Sequence, residues 1–216
     1  MPRTQNCISY HRSKPRYAQQ SLLLLNIHAT SHTIHNTGIG KGLVAAYLLI
    51  PHSTVIACVR TPSTASPILT SLPTHSSSTL IIQELDCSST SSTSLAISTL
   101  TSSHGITHLD VVIANAAIAS NFGPASTMSL ATLESHMMVN TYSVLLLFQG
   151  AKPLLEKGRV RKFVFIGAPI STITDMEGCK RAPLAAYSVS KLAANWLVRK
   201  WHFENEWLVA LVVDPG

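Results

Sequence analysis

Tyr187 and Lys191 are the two residues whose types and spacing most directly suggest chemistry in this chain. Residues 184–203 carry Ala, Leu and Val at helical spacing, and side chains four positions apart lie on one face of a helix. A phenol titrates at about pH 10, and a neighbouring ammonium lowers that pKa because it favours the phenolate. The pair therefore predicts a proton-transfer site, although the same spacing also occurs by chance where a lysine is simply solvated.

The composition indicates one folded domain rather than a disordered chain. Of the 216 residues, 46% are hydrophobic and 12% are charged, which allows a substantial core. The net charge of +6 is unevenly distributed, because no Asp or Glu occurs before Glu84. This bias fits either an organelle transit segment or a cofactor site that prefers anions. Nucleic-acid binding is not expected, because the basic residues are scattered and no recognition motif accompanies them.

The cysteines and the apolar segments bear on the cellular compartment. Cys7, Cys58, Cys87 and Cys179 lie far apart and show no metal-ligand spacing, so we interpret them as free thiols in a reducing compartment. The longest apolar run near the start, residues 22–25, is too short to span a membrane. We therefore expect a cytoplasmic protein with neither a metal site nor a membrane anchor.

Short apolar segments alternate with segments of helical periodicity along most of the chain. This alternation predicts an α/β fold, a Rossmann-like doubly wound parallel sheet with helices on both faces, in one domain. The predicted strands are residues 54–59, 79–85, 109–114, 162–166 and 208–213, and the predicted helices are residues 41–50, 92–102, 130–155 and 184–203. Residues 61–107 are rich in Ser and Thr, which favours loops there.

A glycine cluster opens the first predicted helix. Gly38, Ile39 and Gly40 would let a pyrophosphate approach the backbone at the start of that helix, although a flexible turn has the same composition. The next predicted strand ends at Arg60, where an Arg suits the 2′-phosphate of NADP and an acid would suit the free hydroxyl of NAD. NADP is therefore favoured over NAD, with a solvated strand-end charge as the alternative interpretation of Arg60.

Together these features resemble the short-chain dehydrogenase/reductase family, whose motifs match in order and spacing from about residue 38 to residue 216. Besides the Tyr-Lys pair, the matching segments are Asn115-Ala116-Ala117 for the family's Asn-Ala-Gly, Asn140 on a helix, Asp86 at a strand end, and Asp214-Pro215-Gly216. Residues 161–166 and 198–205 are most similar to fungal ketoreductases of the norsolorinic acid reductase type.

The resemblance implies an NADP(H)-dependent oxidoreductase that acts on a ketone or a secondary alcohol. In the family the Tyr is the general acid or base, the Lys lowers its pKa and binds the nicotinamide ribose, and the helix Asn holds a proton-relaying water. These roles fall on Tyr187, Lys191 and Asn140, and a buried Asn that only satisfies backbone groups is the alternative for Asn140. The predicted cofactor-binding residues are Gly38, Ile39, Gly40, Arg60, Asp86, Asn115, Ala116, Lys191, Pro215 and Gly216.

The chain departs from the family pattern at two site positions. Ile34 replaces the first glycine of the fingerprint, and Ile is poorly suited to the tight turn expected there. Ala168 aligns with the Ser that bonds the substrate oxygen. Ser171 is the nearest hydroxyl that could replace it, and we predict it as the fourth catalytic residue, with an ordinary loop Ser as the alternative.

The two ends of the chain also differ from the family. Residues 1–32 are an atypical segment, expected to be disordered or to target an organelle, and residues 33–216 form the dinucleotide-binding domain. Family members continue beyond the position of Gly216 through a substrate-covering helix, so we expect a domain without that lid. An inactive remnant is therefore an alternative to the enzyme. A partner subunit is another, since residues 130–155 and 184–203 could pair two like or unlike chains.

Overall fold

A computed structural model describes residues 21–27 and 38–215 of the chain. A six-stranded parallel sheet forms its centre, with strand order β3-β2-β1-β4-β5-β6. The strands are β1 Ser21–Ile27, β2 Ser53–Val59, β3 Thr79–Glu84, β4 Val111–Ala114, β5 Lys162–Ile166 and β6 Val209–Val213. The helices are α1 Ile39–Leu48, α2 Pro62–Thr70, α3 Ser92–Ser103, α4 Leu130–Met137, α5 Ser143–Leu155, α6 Met176–Cys179 and α7 Ala185–Glu204.

Alternate residues of the strands pack into two separate cores, one on each face of the sheet. On β2, Val55, Ala57 and Val59 belong to the core covered by α1 and α2, whereas Ile56 and Cys58 belong to the other core. That second core contains α3, α5 and α7 and the larger share of the buried apolar side chains. The predicted doubly wound fold is thereby confirmed, because a strand buried on both faces must be apolar at nearly every position.

The strand order reverses between β1 and β4, which are neighbours in the sheet. In open parallel sheets of this order the carboxyl ends of the strands at such a reversal leave a crevice that binds ligands. The predicted cofactor residues that follow β2, β3, β4 and β6 therefore lie along one edge of the sheet.

Strand β1, in the interior of the sheet, lies within residues 1–32, the segment that the sequence analysis sets apart from the domain. β1 pairs in parallel with β2 along its whole length and with β4 along four residues, so it is an integral part of the sheet. Ser21–Ile27 therefore belongs to the sheet of the domain, contrary to the expected boundary at residue 33. The leucine run from Leu22 to Leu25 lies within this strand. Residues 1–20 and 28–37, which include Ile34, lie outside the described residues.

Two other elements differ from the expectation. The Ser/Thr-rich stretch contains a helix, α2, whose first residue Pro62 occupies a position that suits proline because its missing N–H would have no partner there. The single long helix predicted over residues 130–155 is continuous but contains one turn of π-helix, Met138–Tyr142, between α4 and α5.

Candidate active site

Helix α7 carries Tyr187 and Lys191 close to its amino end, beside the carboxyl end of β5. Lys191 is 1% exposed, and its ammonium donates a hydrogen bond to the backbone carbonyl of Ile166, the last residue of β5. The Lys191 Nζ atom lies 5.8 Å from the centroid of the Tyr187 ring and 4.3 Å from that of Phe165. The phenol and the ammonium therefore share one face of the helix, as the spacing predicts.

Burial decides the pKa of both groups. It lowers the pKa of Lys191 to about 8, because a buried ammonium loses its hydration. Burial also raises the pKa of Tyr187, and the carboxylate of Asp214 raises it further. The predicted lowering of the Tyr187 pKa by Lys191 is therefore contradicted in this structure. Desolvation of the phenolate is the larger cause of this rise and the Asp214 carboxylate is the smaller one, while the Lys191 ammonium is directed at the Ile166 carbonyl.

Asn140 lies in the π-helical turn and is completely buried. Its Oδ1 accepts a hydrogen bond from the Ile118 backbone N–H at 2.8 Å, and its Nδ2 donates to the Ile118 carbonyl and to Ser190 Oγ, each at 2.9 Å. Ser190 Oγ in turn donates to the backbone carbonyl of Tyr187 at 2.8 Å. This side-chain network connects the loop after β4, the π-turn and the first turns of α7, and the proton-relay role of Asn140 stays a prediction.

Ser171 is buried in a turn that follows β5. Its hydroxyl donates to the Ala168 carbonyl at 2.5 Å and accepts a hydrogen bond from Asn195 Nδ2 at 2.8 Å. Both partners are protein groups, so the hydroxyl is committed to the turn in this structure. Its predicted contact with the substrate oxygen stays a prediction, and the alternative of a loop Ser accounts for the observed bonds.

The start of α1 is suited to a phosphate. No side chain caps this helix within the described part of the chain, and its first turn contains no acidic residue. A Cβ atom built on Gly38 would meet no heavy atom of the described residues within 4 Å. Free N–H groups and the positive end of the helix dipole favour an anion. The binding of a dinucleotide pyrophosphate by Gly38, Ile39 and Gly40 stays a prediction.

Other predicted cofactor residues follow the strands at the same edge. Arg60 directly follows β2, and Asn115 and the buried Ala116 directly follow β4. Asp86 lies two residues after β3, where its carboxylate accepts hydrogen bonds from the backbone N–H and the hydroxyl of Ser88. Pro215 follows β6 and is exposed, whereas Gly216 lies outside the described residues.

A cavity of about 350 Å³ opens beside the amino end of α7. It lies between the loop after β4 and the helix, which are joined by a hydrogen bond from the Gly123 N–H to the Pro183 carbonyl at 2.9 Å. Its lining includes Phe122, Pro124, Met128, Thr132, Ala185 and Ala186. The cavity volume is within the range of small-molecule sites.

Ser190 and Asn195 are two site residues that sequence reasoning missed. Ser190 is fully buried between Tyr187 and Lys191, and Asn195 lies four residues after Lys191, on the same face of α7. A polar residue on the buried face of a helix is the signal that could have identified them, because such groups require partners.

The sequence model described as short chain dehydrogenase matches residues 33–210. This chain belongs to the short-chain dehydrogenase family. The resemblance seen in the sequence is thereby confirmed, and the chain is an oxidoreductase.

Curated members of the short-chain dehydrogenase family are closely similar to this chain. The norsolorinic acid ketoreductase nor1 of Dothistroma septosporum is 58% identical over 181 residues, which cover 83% of this chain and 68% of that protein. The norsolorinic acid ketoreductase of Aspergillus parasiticus is 55% identical over 180 residues, which cover 83% of this chain and 66% of that protein. The chain thus spans about two thirds of the length of these relatives.

Solved structures of short-chain dehydrogenases have the same fold. The NADPH-bound carbonyl reductase from chicken fatty liver matches with a TM-score of 0.75 and 21% identity, over 92% of this chain and 77% of the other. The putative carbonyl reductase Sniffer of Caenorhabditis elegans matches with a TM-score of 0.74 and 25% identity, over 91% and 84%. In the described part of this short-chain dehydrogenase, no helix has the length and apolarity needed to cross a membrane, and no cluster of His, Cys, Asp and Glu is arranged to hold a metal.

Proposed function

We propose that this chain is an NADP(H)-dependent ketoreductase in which Tyr187 is the general acid or base. The observation that carries the proposal is the position of Tyr187 and the buried Lys191 on one face of α7, where Lys191 bonds the last residue of β5. This places the pair beside the crevice that the carboxyl ends of the strands form.

Different residues of the chain have separate roles in the proposed reaction. A bound nicotinamide dinucleotide supplies or accepts the hydride. The phenol of Tyr187, whose raised pKa keeps it protonated at neutral pH, donates its proton to the carbonyl oxygen during reduction. The ammonium of Lys191, which lies 5.8 Å from the centroid of the Tyr187 ring, would offset part of the charge of the phenolate that remains, although burial has the larger effect on the Tyr187 pKa. Asn140 and Ser190 hold the backbone of the first turns of α7 in place.

The cofactor preference for NADP rests on Arg60. It follows β2 at the sheet edge, and a guanidinium there is suited to the 2′-phosphate. The pyrophosphate would bind the amino end of α1, and Lys191 would contact the nicotinamide ribose. Norsolorinic acid is the first substrate to test, because the curated relatives that are 55% and 58% identical are named for its reduction.

The experiment compares wild-type protein with Tyr187→Phe in an assay of reduced-cofactor consumption. We expect turnover of norsolorinic acid with NADPH and less with NADH. Tyr187→Phe should lower kcat by at least about a hundredfold, because general acid catalysis contributes that much. Tyr47→Phe, which removes the same hydroxyl from α1, is the matched control and should retain activity. Turnover that survives in Tyr187→Phe would refute the assigned role. Wild-type protein without cofactor-dependent turnover would favour the inactive remnant.

We also propose that α7 pairs two copies of the chain. Val189, Trp196 and Phe203 are spaced by seven residues, so they form one stripe along the helix, and they are 47%, 64% and 65% exposed. Apolar side chains aligned in this way favour a self-complementary contact between two helices. A cytoplasmic location is proposed from Cys58 and Cys179, which are thiols outside any disulfide. Cell fractionation tests the location.

A further inference from the structure

Two side chains on α7 hold opposite ends of the segment that leaves β5. Lys191 bonds the Ile166 carbonyl, where the strand ends. Asn195, one helical turn later, donates from Nδ2 to Ser171 Oγ at 2.8 Å and to the Ser171 carbonyl at 3.3 Å. The residues between these two attachments form a tight turn, closed by a hydrogen bond from the Ser171 N–H to the Ala168 carbonyl at 3.0 Å.

The amide of Asn195 has one possible orientation. A backbone carbonyl can only accept a hydrogen bond, so the Ser171 carbonyl requires the NH₂ group on its side. The Oδ1 atom then points away from Ser171 and is buried without a hydrogen-bond partner among the described residues. A Cβ atom built on Gly167 would lie 3.6 Å from that oxygen. A buried acceptor without a partner is unfavourable, and among the described residues the hydrogen bonds of the Asn195 side chain are those donated by Nδ2.

The turn itself is packed against the sheet. The Gly167 N–H donates to the Val213 carbonyl at 2.7 Å, and a Cβ atom on Gly167 would lie only 2.7 Å from Val212 Cγ1. The segment between Ile166 and Ser171 is therefore confined between β6 and α7. A shift of Ser171 would be transmitted to the Ile166 carbonyl, which is the hydrogen-bond acceptor of Lys191.

We propose that Asn195 is a positioning residue of the active site, which acts through Ser171 to hold the turn after β5 and thereby the acceptor of Lys191. This inference rests on the proposed function, because Lys191 must be placed correctly for Tyr187 to transfer a proton. It assigns the hydroxyl of Ser171 to the turn, bonded by Asn195 on one side and by Ala168 on the other.

The test is a double-mutant cycle on Asn195 and Ser171 with separate measurement of kcat and KM. Asn195→Ala should lower kcat by about tenfold to a hundredfold, the size expected from a misplacement near the reacting groups, with KM for the substrate changed less than about threefold. Asn195→Asp should be worse, because its carboxylate would face the Ser171 carbonyl. Asn195→Ala combined with Ser171→Ala should lose little more than the worse single variant, because both remove one contact. Asn205→Ala, which removes a bond to the Trp201 carbonyl at the far end of α7, is the control and should retain kcat.

Three outcomes overturn the proposal: an unchanged kcat in Asn195→Ala, fully additive losses in the double variant, or a loss confined to KM. A second measurement separates this inference from the proposed function. Amide hydrogen exchange at Ser171 should become faster in Asn195→Ala than in wild-type protein, whether or not turnover is detected. If wild-type protein shows no turnover but exchange at Ser171 is faster in Asn195→Ala, the proposed function is refuted and the positioning role of Asn195 is retained. Unchanged exchange in Asn195→Ala would refute the positioning role.

Discussion

The pKa of Lys191 depends on the groups that surround it in the fold. An ammonium on a helix surface is normally hydrated, yet here it is buried, donates to the Ile166 carbonyl and lies over the Phe165 ring. The carbonyl and the ring face offset part of the lost hydration, and burial still lowers its pKa to about 8. The group is therefore charged at neutral pH and close to titration, which suits a residue that must respond to a neighbouring phenolate.

The lowered pKa predicts a specific dependence of stability on pH. The ordinary value for lysine is 10.5, so between pH 8 and pH 10.5 the unfolded chain holds a proton on Lys191 that the folded chain has lost. The contribution of Lys191 to the free energy of unfolding must therefore rise with pH across that window, by up to about 3 kcal/mol. Urea unfolding of wild-type protein and Lys191→Met at several pH values measures the difference.

The comparison with Lys191→Met is needed because the titration of two other groups lowers the free energy of unfolding as pH rises. Burial raises the pKa of Cys58 and of Tyr187, so the folded chain retains those protons longer and loses stability as pH rises. We therefore expect the free energy of unfolding of wild-type protein, relative to Lys191→Met, to increase between pH 8 and pH 10. A difference that is constant or that falls over this range would contradict the assigned environment of Lys191.

Among the elements, the π-helical turn between α4 and α5 has the clearest connection to the site. One additional residue in a helical turn reorients the side chains around it, and such turns are common at functional sites. Here Asn140 bonds Ser190 Oγ and Thr141 Oγ1 donates to the Ser190 carbonyl at 2.7 Å. Both oxygen atoms of Ser190 thus accept hydrogen bonds from the π-turn, which fixes α7 against the neighbouring helix at the level of Tyr187.

Ser190→Ala tests this contact between elements. The variant removes the acceptor of one Asn140 N–H in a completely buried position, and a buried group left without its partner costs about 1–3 kcal/mol. We expect a lower free energy of unfolding by that amount, together with reduced kcat. Ser188→Ala is the matched control, because Ser188 on the same helix bonds only the Leu184 carbonyl at a part-exposed position. Equal stability losses in both variants would contradict a special role for Ser190.

At the scale of the whole molecule, the sheet brings together residues that are far apart in the sequence. Its strand order places the ends of β2, β3, β4 and β6 at one edge, and α1 and α7 begin at that edge because each helix runs antiparallel to the strands. The same packing leaves the stripe of Val189, Trp196 and Phe203 on the outer face of α7. The site and the proposed dimer contact are therefore on different faces of one helix.

Trp196→Glu tests the proposed pairing of two copies. A charge in the centre of the stripe should be costly to bury, so we expect wild-type protein to be a dimer and the variant a monomer by light scattering after size exclusion. Leu95→Glu makes a comparable change at an exposed residue of α3 and should leave the dimer intact. A monomeric wild-type protein, or a dimeric Trp196→Glu variant, would contradict the proposal. Dimerisation that requires a longer relative would favour the unlike-subunit alternative.

The fold class, most strands and the pair of Tyr187 and Lys191 were predictable from the sequence. These features depend on local periodicity, and periodicity of two or 3.6 residues is visible without knowledge of the tertiary contacts. It predicted β5 without error in its bounds, and it placed Tyr187 and Lys191 on one helix face. It misjudged β1, because polar residues after the leucine run and the missing fingerprint glycine concealed a strand whose partners are distant in the chain.

The protonation and hydrogen bonding of the site depend on tertiary contacts. The pKa of Tyr187 depends on burial and on Asp214, which is 27 positions away in the chain, and the direction of the Lys191 ammonium depends on a carbonyl of β5. The contacts of Ser171, Ser190 and Asn195 likewise join segments that packing brings together. Spacing along a helix defines which residues share a face, but solvation and hydrogen-bond partners come from the elements packed against that face, and no local pattern specifies them.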